Sequence, residues 1–280
     1  MKAVLPAAGW GTRFLPISKA VPKEMLPLGA KPVIHYVAEE AAAAGCTDIL
    51  VIINQSKESI RRYFEPDPFF ESLLEKAGKH AELAEFRTPA ALARFHFIYQ
   101  PEMRGLGDAV LMAKDFVGDE PFAVLLADTV IADSSPLARM VETTARTHRS
   151  CVALEECPLE RVSRYGIAGG VVDEEGLFRL DSMEEKPGPD CAPRLRRADG
   201  STLAHHAFAA RYIFTPAIFA ALDGCPPGRN GEIQLTDAMR TIMQEQGFFG
   251  VPLGGQRLDI GNPKGLIEAS ARMDAASPIS

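Results

Sequence analysis

Residues 2–13 read KAVLPAAGWGTR, an apolar run that stops at two glycines. A short apolar run bounded by glycine reads as a buried strand, here Lys2 to Ala7. The small residues after it let backbone N–H groups approach a ligand closely. Successive N–H groups in such a turn form an anion-binding concavity, and Arg13 adds a fork of donors suited to phosphate oxygens. A tight surface turn is the plainer alternative; Arg13 and the lysines further along favour the ligand-binding one.

Working outward, Pro32 to Ala44 predicts a helix with proline in its first turn and Gly45 at its stop. Asp48 to Ile53 (DILVII) predicts a second buried strand, and Lys57 to Phe64 a short helix. This strand–loop–helix–strand–helix order implies a parallel sheet covered by helices. Glu65 to Arg94 is charged and reads as a helical excursion over the surface. Arg94 to Gln100 reads as a strand, Asp108 to Phe116 as a helix, and Phe122 to Ala127 as a central strand ending at Asp128. A helix at 136–147 and a strand at 150–155 follow. Gly166–Val172, Leu177–Ser182 and Ala207–Phe214 read as strands without regular helices between them, an antiparallel extension of the sheet. Helices are expected at 216–222, 235–245 and 263–275.

The loop is not a Rossmann fingerprint. Phe14 stands where a third glycine belongs, and Pro16 and Pro22 are expected to keep the chain extended. No G-K-[ST] makes it a Walker A loop. A nicotinamide oxidoreductase also needs an acidic residue after the second strand, where this chain has Asn54-Gln55.

Composition narrows the class. The 280 residues are 46% hydrophobic and 24% charged, with a formal net charge of −7, as in an ordinary globular protein. A mildly acidic chain argues against a broad nucleic-acid footprint. No apolar run approaches the ~20 residues of a membrane helix. Pro6 and the glycines interrupt any signal-peptide core. The five cysteines form no C-x-x-C pair, which suits free thiols in a reducing, cytoplasmic setting.

Other segments carry candidate chemistry. Lys23 and Glu24 lie in SKAVPKEMLPL, a cradle for a triphosphate or a solvated loop face. Asp128 sits at a central strand end, where open α/β sheets bind ligands. Asp259 lies in a short apolar segment ended by Gly261. Two such carboxylates suit one hard divalent cation; each is equally readable as an N-cap or turn residue. Glu185-Lys186 after a strand can meet a sugar hydroxyl and a phosphate, though a solvated turn explains the tetrapeptide alone as well. His205-His206 point to opposite faces of a strand and read as structural or exposed. Arg194, Arg196 and Arg197 read as a solvated basic loop.

Taken together, AAGWGTRFLPISKAVPKEMLPL, QPEMRGLGDAV, VGDEPFAVLLAD, EEKP, GEIQLTDAM and LDIGNPKG, in that order, resemble the bacterial UTP–glucose-1-phosphate uridylyltransferases within the sugar-phosphate nucleotidyltransferase superfamily. The resemblance spans nearly the whole chain. It implies a single domain over 1–280 with a Rossmann-like mixed, mostly parallel α/β sheet. Residues 1–150 would form the nucleotide-binding half and 151–280 the sugar-binding half. By that similarity Ala8, Gly9, Gly11, Thr12, Glu24, Gln100 and Gly105 would meet the nucleotide. Arg13 and Lys23 would hold the triphosphate, Asp128 and Asp259 Mg²⁺, Gly166 and Glu185 the glucose hydroxyls, and Lys186 the sugar phosphate.

The implied reaction joins UTP and glucose 1-phosphate, with no nucleic-acid or membrane partner and a homo-oligomer, dimer or tetramer, as the assembly. Departures from the family pattern stand at Ala127, Thr129, Asp108, His205 and Ala210, and 194–203 looks inserted. Those in the second half, 194–203, His205 and Ala210, bear on the sugar more than on the reaction. Another hexose 1-phosphate, dTTP in place of UTP, or a non-catalytic nucleotide-sugar sensor are the alternatives.

Overall fold

The computed structural model describes residues 1–228 and 231–276. The chain forms two compact units built from interleaved segments. One holds Lys2–Pro101, Leu126–Val130 and the chain from Leu258 onward; the other holds Glu102–Leu125 and Ile131–Arg257.

The first unit is built on three parallel strands. Lys2–Pro6 pairs with Asp48–Ile53, which pairs with Arg94–Tyr99. Ala3, Val4, Leu5 and all of Ile49 to Ile53 are buried, as expected of strands covered on both faces. Each fully buried isoleucine or leucine there contributes about 1.5–3 kcal/mol. The helix Val33–Ala43 buries Val33, Ile34, Val37, Ala38 and Ala41, one stripe at helical spacing. Pro32 supplies its N-cap and Gly45, at φ +85°, follows its end. Residues 65–94 are helical as expected, in two pieces, Pro68–Lys76 and His80–Ala91.

The stretch after the first loop departs from expectation. It is not extended throughout but makes three short 3-10 turns, Thr12–Phe14, Ile17–Lys19 and Lys23–Met25. The prolines permit this because each precedes a turn and lends only its carbonyl. Lys19 N–H donates to Pro16 at 3.1 Å, and Met25 N–H to Pro22 at 2.9 Å.

The second unit carries a mixed sheet. Gly166–Val172, Phe178–Glu185 and Phe248–Pro252 run antiparallel in turn; Phe248–Pro252 lies parallel to Cys151–Cys157. Cys151–Cys157 is antiparallel to His205–Phe214, and that strand to Phe122–Leu125. Phe122 stacks on Phe219 of the helix Ala217–Asp223 at 5.2 Å between ring centroids.

Several boundaries move. The strand expected at 177–182 extends to Glu185, which puts both glutamates of EEKP in the sheet. The last long strand begins at His205. The helix expected at 108–116 is two short ones, Leu106–Leu111 and Lys114–Val117. The expected basic loop contains a short strand instead. Leu195–Arg196 pairs parallel to Gly166–Val172, with Leu195 wholly buried and Arg196 paired to Asp181. A buried leucine between exposed arginines is what ties this stretch to the sheet edge.

Candidate active site

In the first unit, the loop after Lys2–Pro6 is held from beneath. Ala7 N–H donates to Ile52 O at 2.8 Å, continuing the strand pairing. The Asn54 side-chain amide donates to Ala8 O, and Lys57 Nζ donates to Ala7 O at 2.6 Å. These bonds leave Gly9 with open space above it: an added Cβ would meet nothing within 4 Å. Gly11 takes the left-handed conformation, φ +64°, that glycine adopts without penalty. Thr12 and Arg13 follow in the first 3-10 turn, while Phe14 is buried and anchors it.

Glu24 differs from its expected place among the nucleotide contacts. It is 1% exposed, and both carboxylate oxygens accept from Lys57 Nζ, at 2.8 and 2.9 Å. Its work is to tie the Lys23–Met25 turn to the end of the first strand through Lys57. Burial pushes the Lys57 ammonium below the usual lysine range, against the opposing pull of Glu24.

Lys23, next along the turn, pairs with Asp128 by charge and hydrogen bond. Burial alone would lower the Lys23 ammonium; Asp128, with Glu24 behind it, outweighs that and raises it. Burial would likewise raise the Asp128 carboxyl, but Lys23 and then Arg13 hold it below the usual carboxylate range. Asp259 is drawn to the same place by backbone bonds. Ile260 N–H donates to Asp128 O at 3.0 Å, and Gly261 N–H to Asp259 Oδ1 at 3.0 Å.

The two glycines of LDIGNPKG explain the approach. A Cβ on Gly265 would fall 1.9 Å from Asp259 O, so only glycine lets the final helix close on that turn. A Cβ on Gly261 would stand 3.1 Å from Asp259 Oδ1, 3.5 Å from Asp128 Oδ2 and 3.6 Å from Arg13 Nη1. The missing side chain thus leaves a space faced by two carboxylates and a guanidinium. Gln100 is buried in the same unit, its N–H on Ile53 O at 2.8 Å.

The second unit holds the remaining candidates. Gly166 pairs with Glu185 across two antiparallel strands. A Cβ on Gly166 would lie 2.3 Å from Phe208 Cδ2 and 3.1 Å from Glu185 Oε2. Glycine here lets the Phe208 ring lie against the strand beside Glu185. Thr236 Oγ1 donates to Glu185 Oε2 at 2.7 Å, and Arg240, one turn on, donates to Met183 O at 3.1 Å. The GEIQLTDAM segment therefore braces the EEKP strand. Lys186 is exposed at φ +49°, with Nζ 3.2 Å from Glu185 Oε1 and its N–H on Tyr165 O at 3.0 Å.

Gly105 takes φ +100° and packs on Ile233, whose carbonyl would be 2.8 Å from an added Cβ. His205 and His206 are buried and structural, with Nδ1 bonded to Pro193 O at 3.0 Å and Ala204 O at 2.9 Å.

The sequence alone gives no functional role to Asn54, Lys57, Thr236 or Gly261. For the first two a signal was there: a polar NQSK stretch directly after an apolar strand, at the sheet edge where ligands bind. Thr236 and Gly261 lie inside blocks already marked, but only the fold gives them partners.

A parallel sheet ending in a glycine loop, with cationic and carboxylate groups gathered at its edge, is the architecture of an enzyme that handles nucleoside phosphates. The chain belongs to the nucleotidyl transferase family, whose model it matches over residues 2–276. Its named relatives include the UTP–glucose-1-phosphate uridylyltransferase of Bacillus subtilis, 40% identical over 95% of this chain and 88% of that protein. The protein of the same name from Streptococcus pneumoniae is 42% identical, over 96% and 88%. Among solved structures, a UDP-glucose pyrophosphorylase complexed with UDP-glucose superposes with a TM-score of 0.85 at 38% identity, over 99% of both chains. A UTP-bound UGPase from Acinetobacter baumannii superposes with a TM-score of 0.88 at 33% identity, over 99% of this chain and 94% of that one.

Proposed function

We propose that this chain transfers the uridylyl group of UTP to glucose 1-phosphate, giving UDP-glucose and pyrophosphate. The observation that carries the reading is the space left by Gly261, faced by Asp128, Asp259 and Arg13 with Lys23 on Asp128. The names and bound nucleotides of the relatives supply the substrates.

In this reading the backbone of Ala8, Gly9, Gly11 and Thr12 lies along the nucleotide, with Gln100 and Gly105 at the base. Arg13 and Lys23 neutralise the triphosphate. Glu185, with Gly166, meets the glucose hydroxyls, and Lys186 holds the sugar phosphate. An oxygen of that phosphate attacks the α-phosphorus in line. The new P–O bond forms as the bond from the α-phosphorus to the bridging oxygen breaks, and pyrophosphate leaves with the electron pair. The nucleophile is ionised at neutral pH, so no general base is required. Catalysis is positioning plus charge neutralisation. For Lys23 to reach a phosphate it exchanges Asp128 for it, which frees that carboxylate.

Asp128 and Asp259 fit Mg²⁺. Among the described residues no group of three or more His, Cys, Asp or Glu is placed to hold a metal ion by itself, but Mg²⁺ is commonly held by one or two carboxylates, with substrate phosphates and water completing six oxygens. Bound there, it would neutralise phosphate charge and act as a Lewis acid.

A homo-oligomer in the cytoplasm belongs to the same reading. The cysteines described are free, as in a reducing compartment, and no helix among the described residues is long and apolar enough to cross a membrane.

A pyrophosphate-release screen of UTP, dTTP, CTP, GTP and ATP against several sugar 1-phosphates tests it. UTP with glucose 1-phosphate should give the highest kcat/KM. A preference for dTTP or another hexose would correct the substrate, and no turnover with any pair would favour a nucleotide-sugar sensor.

A further inference from the structure

Lys186 holds a left-handed backbone, φ +49°, a region that favours glycine. Strain of this kind persists only where the surroundings over-determine it, and it gathers at functional sites. The Lys186 side chain is 55% exposed, so the hold comes from its backbone. That hold is the N–H donated to Tyr165 O at 3.0 Å.

Tyr165 is itself fixed. It packs on the buried cluster of Cys157, Val162, Ile167 and Ala207. The Arg257 guanidinium lies over its ring, with Cζ 4.3 Å from the centroid. Arg257 is in turn tied to strand Cys151–Cys157. Its Nε donates to Glu155 Oε1 at 2.6 Å, and its Nη2 pairs with the same oxygen. The Arg257 side chain is 9% exposed. An apolar residue of similar volume would fill such a space without the cost of desolvating a charge, so stability alone does not account for an ion pair there. A planar guanidinium stacks on a ring and bonds a carboxylate together, which an ammonium does not reproduce.

We propose that Arg257 is a positioning residue: braced on Glu155 and stacked on Tyr165, it sets the Tyr165 carbonyl that keeps Lys186 in its left-handed turn. This rests on the reading of Lys186 as the residue that meets the sugar phosphate, and it extends that reading to three side chains that do not touch substrate. The chain of contacts runs Glu155, Arg257, Tyr165, Lys186. Its effect falls on the acceptor sugar phosphate and not on UTP.

The test is steady-state kinetics of the full chain with UTP and glucose 1-phosphate, on variants shown to be folded by circular dichroism. Arg257→Met should lower kcat/KM for glucose 1-phosphate by about ten- to a hundredfold, the scale of a misplacement of ~1 Å, and leave KM for UTP unchanged. Arg257→Met/Glu155→Met, which strands no carboxylate, guards against a folding defect and should show the same loss. Tyr165→Phe, which keeps the ring, should behave as wild type, and Tyr165→Leu should match Arg257→Met. In a Lys186→Ala background Arg257→Met should add no further loss, because nothing is left to position; residues acting through one another are non-additive. Folded Arg257→Met with wild-type kinetics, a loss additive with Lys186→Ala, a change confined to KM for UTP, or Tyr165→Phe as impaired as Tyr165→Leu would each overturn the proposal. Unchanged kinetics in Lys186→Ala alone would instead overturn the assignment of Lys186, and the proposal with it.

Discussion

Lys57 and Glu24 face each other at 2.8 Å, 3% and 1% exposed, and Lys57 also holds the carbonyl of Ala7. One buried ion pair thus joins the end of the first strand to the turn that carries Lys23. Removing one member of such a pair strands a charge inside the protein, at a cost of about 3–5 kcal/mol. Lys57→Met should lose stability on that scale in urea unfolding. Lys57→Met/Glu24→Met, which removes both charges, should recover most of it. Equal losses in the single and double variants would show that the pair does not stabilise as described.

Gly166 is read as the position that admits Phe208. Gly166→Ala drives a Cβ into a ring that has little freedom, and overpacking of this kind costs about 1–3 kcal/mol. Phe208→Leu added to it should restore part of that loss, a non-additive pair in contact. Additive losses would mean the two residues do not meet.

Thr236 reaches Glu185 from another segment. Thr236→Val should raise KM for glucose 1-phosphate about tenfold, as for loss of a bond to a charged group, and leave KM for UTP unchanged. A shift in KM for UTP instead would detach Glu185 from the sugar.

Two buried histidines contribute to the loss of stability in mild acid. Burial pushes both His35 and His206 below the ordinary value of 6.5; Glu39 opposes this at His35, and the Ala204 carbonyl and Glu156 at His206. Between each folded value and 6.5 the unfolded chain binds more protons than the folded one. Stability therefore rises with pH across that window and falls as pH drops through it. Tm should decrease as pH falls below 6.5, and His206→Phe, which keeps an aromatic partner for Phe178, should decrease less. An unchanged decrease would remove His206 from the account.

The parts of the fold legible in the sequence were those with local causes. DILVII and FAVLLA are apolar and β-branched enough to read as buried strands, and Pro32 and Gly45 bracket a helix by their own backbone geometry. Asp128 stands out in the sequence because a lone acid closes an apolar run; the strand itself ends earlier, at Leu125, and Asp128 lies in the turn before Thr129–Ala132. What was not legible depends on chain closure. Glu24 lies in a stretch readable as a triphosphate cradle or a solvated loop face, and its partner appears only when Lys57, 33 residues on, is brought to it. The short strand at Leu195–Arg196 hides among arginines because a single buried leucine carries it. Phe248–Pro252 holds a glycine and a proline, poor strand formers, and pairing on both edges keeps it in the sheet.

In the proposed reaction the α-phosphate of UTP passes to the sugar phosphate at a site built on Lys23, Asp128 and Asp259. UTP labelled at the α-phosphorus, incubated with glucose 1-phosphate and Mg²⁺, tests it most directly. Label should appear in UDP-glucose and not in pyrophosphate, with transfer abolished by chelation, restored by Mg²⁺, and lost in folded Asp128→Ala. Label released as UMP, or full transfer by Asp128→Ala, would contradict it.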